Sequence, residues 1–314
     1  MTRVVAVTGA CGFIGRHVVE RLLARGDYVY AVDALTYAAD PSLPEHWTRV
    51  YGEERFHFVC RDIVTLGAFP EMIDGIVHLA AETHVDNSIA DSAAFIHTNV
   101  AGTHRLLEMA ARQRPRFVYV STDEVYGDIA TGTVTEDAPF RPSSPYAASK
   151  AAADLLVQAW GRTHGVPWNI VRPSNCYGLH QYPEKLIPKT IRWSVLGRPM
   201  LVHGDGTPTR SWLHVDDCAA AIIHVLDAAP WDGAYNVSGN TEASVTQVIE
   251  AVWQALRLAR LGGTYATQPG TRPGVDLRYA VDDRALRALG WQPAGNLWRD
   301  IPAIVEAELA RFRW

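Results

Sequence analysis

The sequence predicts an α/β fold: a doubly wound parallel sheet with a smaller lobe toward the C-terminus. Three observations predict it: short apolar runs rich in β-branched residues, helical stretches between most of them, and a glycine-rich turn directly after the first run. The runs are 4–8, 28–33, 56–60, 75–79, 117–121 and 168–172. Runs apolar on both faces and separated by helices are what a buried parallel sheet requires, because helices cover both of its sides. Helical spacing is clear over 13–24 and 103–112, whereas the connection over 34–55 is longer and irregular. After Arg172 the pattern loosens, with Pro183, Pro188, Gly197, Pro199, Gly204, Gly206 and 269–274 as punctuation. Helical spacing returns at 215–228, 245–259 and 282–289. Residues 1–172 with a return near 211–237 are expected to form the sheet domain. Residues near 173–210 and 238–314 are expected to form the smaller lobe, packed on the sheet's carboxyl edge, where ligands of such sheets bind.

Composition narrows the function. The 314 residues are 48% hydrophobic and 20% charged, enough to bury a large core. Net charge is -5 and no like-charge run occurs, so no nucleic-acid surface is expected. Apolar stretches fall short of a bilayer span, and the strand pattern starts at Arg3, so neither a membrane helix nor a signal peptide is expected. Cys11, Cys60, Cys176 and Cys218 are scattered, fitting neither a disulfide framework nor a metal site. Free thiols in a reducing cytoplasm are the simple reading.

Gly9-Ala10-Cys11-Gly12-Phe13-Ile14-Gly15 follows the first strand and opens a helix. Glycine permits the tight turn and lets backbone N–H groups approach a pyrophosphate at the positive end of the helix. A glycine trio alone is weak evidence, and a turn with no ligand is the bland alternative. Here a strand precedes it, a helix follows, and Asp33 ends the second strand 18 residues past Gly15. An acid there accepts from a ribose diol and repels a 2′-phosphate, which favours NAD over NADP. The sheet is therefore of Rossmann type. Asp62-Ile63, after the third strand, is placed to flank the adenine.

Tyr146-Ala147-Ala148-Ser149-Lys150 puts a phenol and an ammonium four residues apart on one helix face. A nearby cation favours the phenolate, so Tyr146 can serve as a base. The alternative is a solvated Tyr/Lys pair. Ser121-Thr122-Asp123-Glu124-Val125-Tyr126-Gly127 lies just past the fifth strand. Its adjacent carboxyls are either solvated loop acids or a general acid and a general base held apart by environment.

With these motifs the chain resembles the extended short-chain dehydrogenase/reductase superfamily and, within it, the dTDP-glucose 4,6-dehydratases. The resemblance is carried by TGACGFIG (8–15), Leu35-Thr36-Tyr37, HLAAETHVDNSI (78–89), STDEVYG (121–127), SPYAASK (144–150), RPSNCYG (172–178), YPEKLIP (182–188) and Arg272-Pro273-Gly274. STDEVYG joined to ETHVDNSI and PEKLIP is the specific part. The resemblance implies a Thr122, Asp123, Glu124, Tyr146 and Lys150 catalytic set. It implies NAD contacts at Gly9, Gly12, Phe13, Ile14, Gly15, Asp33, Ala34, Leu35, Thr36, Asp62, Ile63, Leu79, Ala80, Ala81, Thr83, Thr98 and Cys176, besides Tyr146 and Lys150. For a nucleotide-sugar substrate it implies Thr83, His84, Thr122, Asn175, Lys185, Leu186, Val202, His203, Arg210, Asn236 and Arg272, the two arginines suiting a diphosphate. No metal is implied. It also implies a homodimer through a four-helix bundle formed by 93–112 and 147–164.

The implied reaction oxidises C4 of a nucleotide hexose, removes water across C5 and C6, and returns the hydride to C6. Departures stand at Ala34, Cys176, His203, Ser211 and Val275, and the chain is short over 38–75 and at its C-terminus. They bear on the base more than on the reaction. A 4-epimerase or decarboxylase of the same superfamily would oxidise C4 without eliminating water, and the Asp123-Glu124 pair argues against it. A UDP, CDP or GDP sugar is a further alternative to the dTDP sugar. A non-catalytic NAD sensor would not need Thr122, Tyr146 and Lys150.

Overall fold

The computed structural model describes residues 2–69, 73–258, 261, 263–268, 274 and 276–311. Among the described residues, twelve strands run in chain order: β1 (Val4–Thr8), β2 (Tyr28–Asp33), β3 (Phe56–Cys60), β4 (Gly75–His78), β5 (Arg116–Val120), β6 (Trp168–Pro173), β7 (Asn175–Tyr177), β8 (Met200–His203), β9 (Thr209–His214), β10 (Gly233–Val237), β11 (Thr241–Ser244) and β12 (Tyr265–Gln268). The α-helices are α1 (Phe13–Ala24), α2 (Leu43–Tyr51), α3 (Val85–Ala90), the single turn α4 (Ala93–Phe95), α5 (Thr103–Gln113), α6 (Pro145–His164), α7 (Leu186–Val195), α8 (Val215–Ala228), α9 (Val245–Leu258), α10 (Arg284–Ala288) and α11 (Leu297–Arg311).

Seven strands pair in the order β10-β6-β5-β4-β1-β2-β3, all parallel, as the α/β reading expects. The strand order reverses between β1 and β4, the switch point at which such sheets open a crevice. Valines of β1 and β2 pack against α1 and α8 on one face of the sheet. On the other face Ile76, Phe117, Tyr119 and Ile170 pack against α5 and α6. Burial on both faces is what these β-branched runs could supply, and it fixes their register.

A third apolar cluster, with Ile187, Ile191, Val248, Val252 and Ile301, holds the smaller lobe together. That lobe carries a three-stranded sheet, β11-β9-β7, and a two-stranded one, β12-β8. Although β9 belongs to the lobe, α8 and β10 rejoin the large sheet. Several elements escape the sequence pattern, α3 and α7 among them. Helix α2 lies inside the stretch read as irregular, anchored by fully buried Trp47. Helix α11 closes the chain against the lobe. Between α4 and α5 the backbone is π-helical over Ile96–Gly102, so 93–112 is not one continuous α-helix.

Candidate active site

A cleft of about 340 Å³ runs along the switch point, from the glycine turn to the carboxyl ends of β5 and β6. At its floor Gly9 has φ +68°, and a Cβ there would lie 2.7 Å from the Ala80 nitrogen. Glycine is thus required for β1 and the loop after β4 to meet. Gly12 precedes α1 with extended backbone, and no side chain caps the helix, so the first-turn residues Phe13, Ile14 and Gly15 face the cleft without a competing acceptor. Such an end suits an anionic pyrophosphate.

At the end of β2, Asp33 accepts from the backbone N–H groups of Cys11 (2.9 Å) and Leu35 (2.8 Å). Burial raises its carboxyl above the usual range while the two bonds oppose that rise. Asp62 accepts from the Val64 amide at 2.8 Å and lies 3.3 Å from His97 Nε2. Ile63 lines the cleft beside it.

At the other end, the extended backbone at Thr122 turns into a 3₁₀ turn over Asp123–Tyr126. Thr122 Oγ1 accepts from the Glu124 amide and donates to Asp123 Oδ1. Asp123 is 3% exposed; burial, with the neighbouring Glu124 second, pushes its carboxyl up to about 8. The shift favours its neutral, proton-donating form beside a second carboxyl. Tyr146 and Lys150 enter from the first turns of α6, whose N-terminus is capped by Ser144 Oγ accepting from the Ala147 amide. Lys150 Nζ donates to the Val120 carbonyl at 2.7 Å and lies 4.3 Å from the centre of the Tyr119 ring. Burial brings its ammonium down to about 7.

The help expected from Lys150 is not visible in the phenol itself. Burial first, then Glu124, pushes Tyr146 well above the ordinary phenol range. Both Tyr146 and Lys150 are buried, which excludes the solvated pair.

Four buried polar atoms without a partner belong to residues lining this cleft: Ser121 Oγ, Asp123 Oδ2, Ser174 Oγ and Asn175 Oδ1. An orphaned buried polar atom costs about 1–3 kcal/mol, so the cleft is built for a polar ligand that supplies the missing bonds.

The cleft gathers Ala34, Thr36, Leu79, Ala80, Ala81, Thr83, Thr98, Cys176 and Lys185 with the residues above. Six residues assigned from the sequence lie off it. Leu35, at φ 52°, turns its side chain onto the core, and only its amide serves Asp33. His84 caps α3 by accepting from the Asn87 amide. Leu186 and Val202 pack in the smaller lobe. Arg210 donates to the carbonyls of Thr209, Asp276 and Leu277 and stacks 4.3 Å over Tyr279. Asn236 is wholly buried: Oδ1 accepts from the Tyr126 hydroxyl, and Nδ2 donates to the carbonyls of Val134 and Asp282. Arg272 and the side chain of His203 lie outside the described residues.

Sequence reasoning missed Ser121, Ser174, Gln181, Tyr182, Glu82 and Glu184 as lining residues. Ser121 and Ser174 each follow a strand of the large sheet at its carboxyl edge, a signal that was available. Tyr182 and Glu184 lay within a quoted motif. Tyr182 meets Tyr37 edge to face at 5.3 Å, and the Tyr37 hydroxyl donates to Glu184 at 3.2 Å across the cleft mouth.

Residues 5–238 match the NAD dependent epimerase/dehydratase family. The chain belongs to that family. Its cofactor is accordingly NAD. The dTDP-glucose 4,6-dehydratase of Streptomyces griseus is 42% identical, over 97% of this chain and 94% of that one. The crystal structure of DesIV, a dTDP-glucose 4,6-dehydratase from Streptomyces venezuelae with NAD bound, aligns at TM-score 0.87 and 36% identity over 96% of each chain. A UDP-glucuronic acid 4-epimerase from Bacillus cereus, in complex with UDP-glucuronic acid and NAD, aligns at TM-score 0.89 and 25% identity, over 98% of this chain and all of that one. Backbone shape therefore does not separate dehydratase from epimerase in this family. The side chains past β5 must.

Proposed function

We propose that the protein is a sugar-nucleotide 4,6-dehydratase acting on dTDP-glucose or a close analogue, yielding the 4-keto-6-deoxy sugar and water. One observation carries the proposal: a buried carboxyl, Asp123, whose surroundings favour its protonated form, stands next to Glu124 and shares a cleft with Tyr146. Elimination needs an acid for the leaving hydroxyl and a base for a carbon-bound proton; epimerisation at C4 needs neither. Held along Gly9, Gly12, Phe13, Ile14 and Asp33, NAD would supply the reversible hydride acceptor that oxidation at C4 and reduction at C6 require.

The chain's own groups do the rest. Tyr146 takes the proton of the 4-hydroxyl while Thr122 Oγ1 bonds the same oxygen. Glu124 removes the proton at C5, made acidic by the adjacent ketone, and Asp123 protonates the departing 6-hydroxyl. Glu124 then returns a proton to C5. Burial and the carboxylates raise the Tyr146 phenol, and its work as a base would draw on the positive charges of Lys150 and of bound NAD to favour the phenolate. Thr83, Asn175 and Lys185 line the sugar end of the cleft and are the proposed substrate contacts.

The test is incubation of purified protein and NAD with dTDP-glucose and with UDP, CDP and GDP hexoses. A product lighter by one water supports the reading. An isomer of unchanged mass sinks it in favour of an epimerase.

A pH dependence follows. Asp123 loses its proton near pH 8 and Lys150 near pH 7, and each loss removes a working form. The ratio kcat/KM, which reports the free protein, should fall as pH rises through about 7 to 8, and a flat profile across that range would exclude both roles.

The remaining assignments belong with this reading. The NAD lobe is 1–172 with about 211–237, and the nucleotide-sugar lobe is the rest. No described helix is long and apolar enough to cross a membrane, and the four cysteines are unbridged, in keeping with a cytoplasmic enzyme. Ile89, Ile96 and Leu155 leave exposed apolar surface on α3, the π-helical segment and α6, which supports a homodimer through this face. Sedimentation as a monomer at micromolar concentration would reject it.

A further inference from the structure

We propose that Asn99, which no part of the proposed chemistry uses, is a positioning residue that ties the cofactor loop after β4 to the helix carrying Tyr146. It is 1% exposed and lies in the π-helical segment Ile96–Gly102. Wide turns of this kind recur at functional sites because they re-aim the residues they carry.

Both ends of the Asn99 amide are used. Oδ1 accepts from the Glu82 backbone N–H at 2.8 Å. Nδ2 donates to the Glu82 carbonyl at 3.0 Å and to Ser149 Oγ at 2.8 Å. Ser149 Oγ in turn donates to the Tyr146 carbonyl at 2.7 Å. One side chain thus clamps both backbone groups of Glu82, in a loop that lines the cleft, and reaches through Ser149 to the residue proposed as base.

The same segment is held from the other side. Thr103 Oγ1 donates to the Asn99 carbonyl at 2.6 Å, which leaves it to accept from His78 Nε2 at 2.9 Å. His78 Nδ1 must then accept from Thr8 Oγ1 at 2.8 Å. Burial and Lys150 depress the His78 imidazolium, consistent with a neutral ring carrying its proton on Nε2. The line Thr8, His78, Thr103, Asn99, Ser149 joins the strand before the glycine turn to the first turn of α6. Thr8, His78 and Thr103 donate in sequence to the Asn99 carbonyl, and the Asn99 side-chain amide donates onward to Ser149, so no side chain in the line can turn without breaking a buried bond.

The assignment rests on the proposed role of Tyr146. It is tested with Asn99→Ala and Ser149→Ala, singly and together, in the NAD-loaded protein. If Asn99 positions, each single variant lowers kcat by about tenfold with KM within about twofold, and the double variant is no worse than Asn99→Ala, because both act along one line. A second readout does not involve turnover. Amide hydrogen exchange over residues 79–84 should rise about a hundredfold in Asn99→Ala and stay unchanged in Ser149→Ala, since only the first frees the Glu82 amide. Additive losses in kcat, or unchanged exchange over 79–84 in Asn99→Ala, overturn the proposal. Should wild-type protein fail to dehydrate any nucleotide hexose, the proposed function fails while the exchange measurement still decides the clamp.

Discussion

Glu124→Gln should pass C4 oxidation and stop there, while Tyr146→Phe should not begin. The first variant keeps the shape of the side chain and removes the group that takes the C5 proton. It should release a 4-keto hexose that still bears its 6-hydroxyl, and incorporation of solvent deuterium at C5 should be lost. The second removes the group that accepts the O4 proton, so no keto sugar should form. A general base contributes roughly 100- to 10,000-fold, so both losses are large enough to resolve in a single turnover. Asp123→Asn should differ from both. It blocks only the departure of water, so C5 exchange should persist without 6-deoxy product. The ordering follows from the 3₁₀ turn, which holds the two carboxyls side by side with Asp123 as the buried one and Glu124 the more open. Near-native dehydration by Glu124→Gln would remove the assignment and leave a 4-epimerase as the better reading.

The other large effect concerns stability. Asp154 on α6 and Arg172 at the end of β6 are 0% and 2% exposed and form a two-pronged ion pair, Nε–Oδ2 at 2.9 Å and Nη2–Oδ1 at 3.0 Å. Arg172 Nη1 also donates to the Tyr126 hydroxyl at 2.6 Å and to the Glu136 carbonyl at 2.9 Å. One guanidinium therefore pins the helix bearing Tyr146, the turn bearing Asp123 and Glu124, and the sheet. Removing one partner of a buried pair leaves an uncompensated charge, at a cost of roughly 3–5 kcal/mol. Asp154→Ala should lower the unfolding free energy from urea titration by that much, and Asp154→Leu combined with Arg172→Met should recover part of it, because replacing both charges leaves nothing stranded. A single variant within about 0.5 kcal/mol of wild type would show that the pair contributes little, as exposed pairs do.

The parts of this fold that could be read from the sequence are those whose apolar residues recur with a clear strand or helix pattern. β1, β2 and β3 coincide with their apolar runs, and α1 and α8 with their helical spacing, because each pattern has a single way of hiding its apolar face. Helix α2 was hidden because its buried anchors are few, chiefly Leu43 and Trp47, amid polar residues and a proline at its start. The π-helical segment has no period to betray it; its reasons are the tertiary bonds of Asn99 and the tight contact of Gly102 with Ile63, where a Cβ would collide.

The cofactor half of the site was legible for a different reason. A glycine turn, a strand-end acid and a Tyr/Lys pair each need a local geometry that the neighbouring residues announce. The nucleotide-sugar half was carried by resemblance, and there the outcome depends on the packing of this chain. Asn236 sits on β10 at the edge of the large sheet, and its amide is fully used in joining Tyr126, Val134 and Asp282. No local pattern distinguishes such a residue from one that meets a ligand.

The return of β10 to the edge of the large sheet bears on how the chain is made. During synthesis β6 emerges with one side bonded to β5 and the other bare, and α7, β8, β9 and α8 are all translated before Val237 arrives to pair with Pro173. Until then the nascent chain presents an unpaired parallel edge and the apolar face that α8 later covers, the two features by which partly made sheets associate with one another. A polypeptide ended after β6 would keep that edge permanently. The cofactor lobe is thus contiguous in space but not in time, and it closes only when the ribosome has passed most of what lies between.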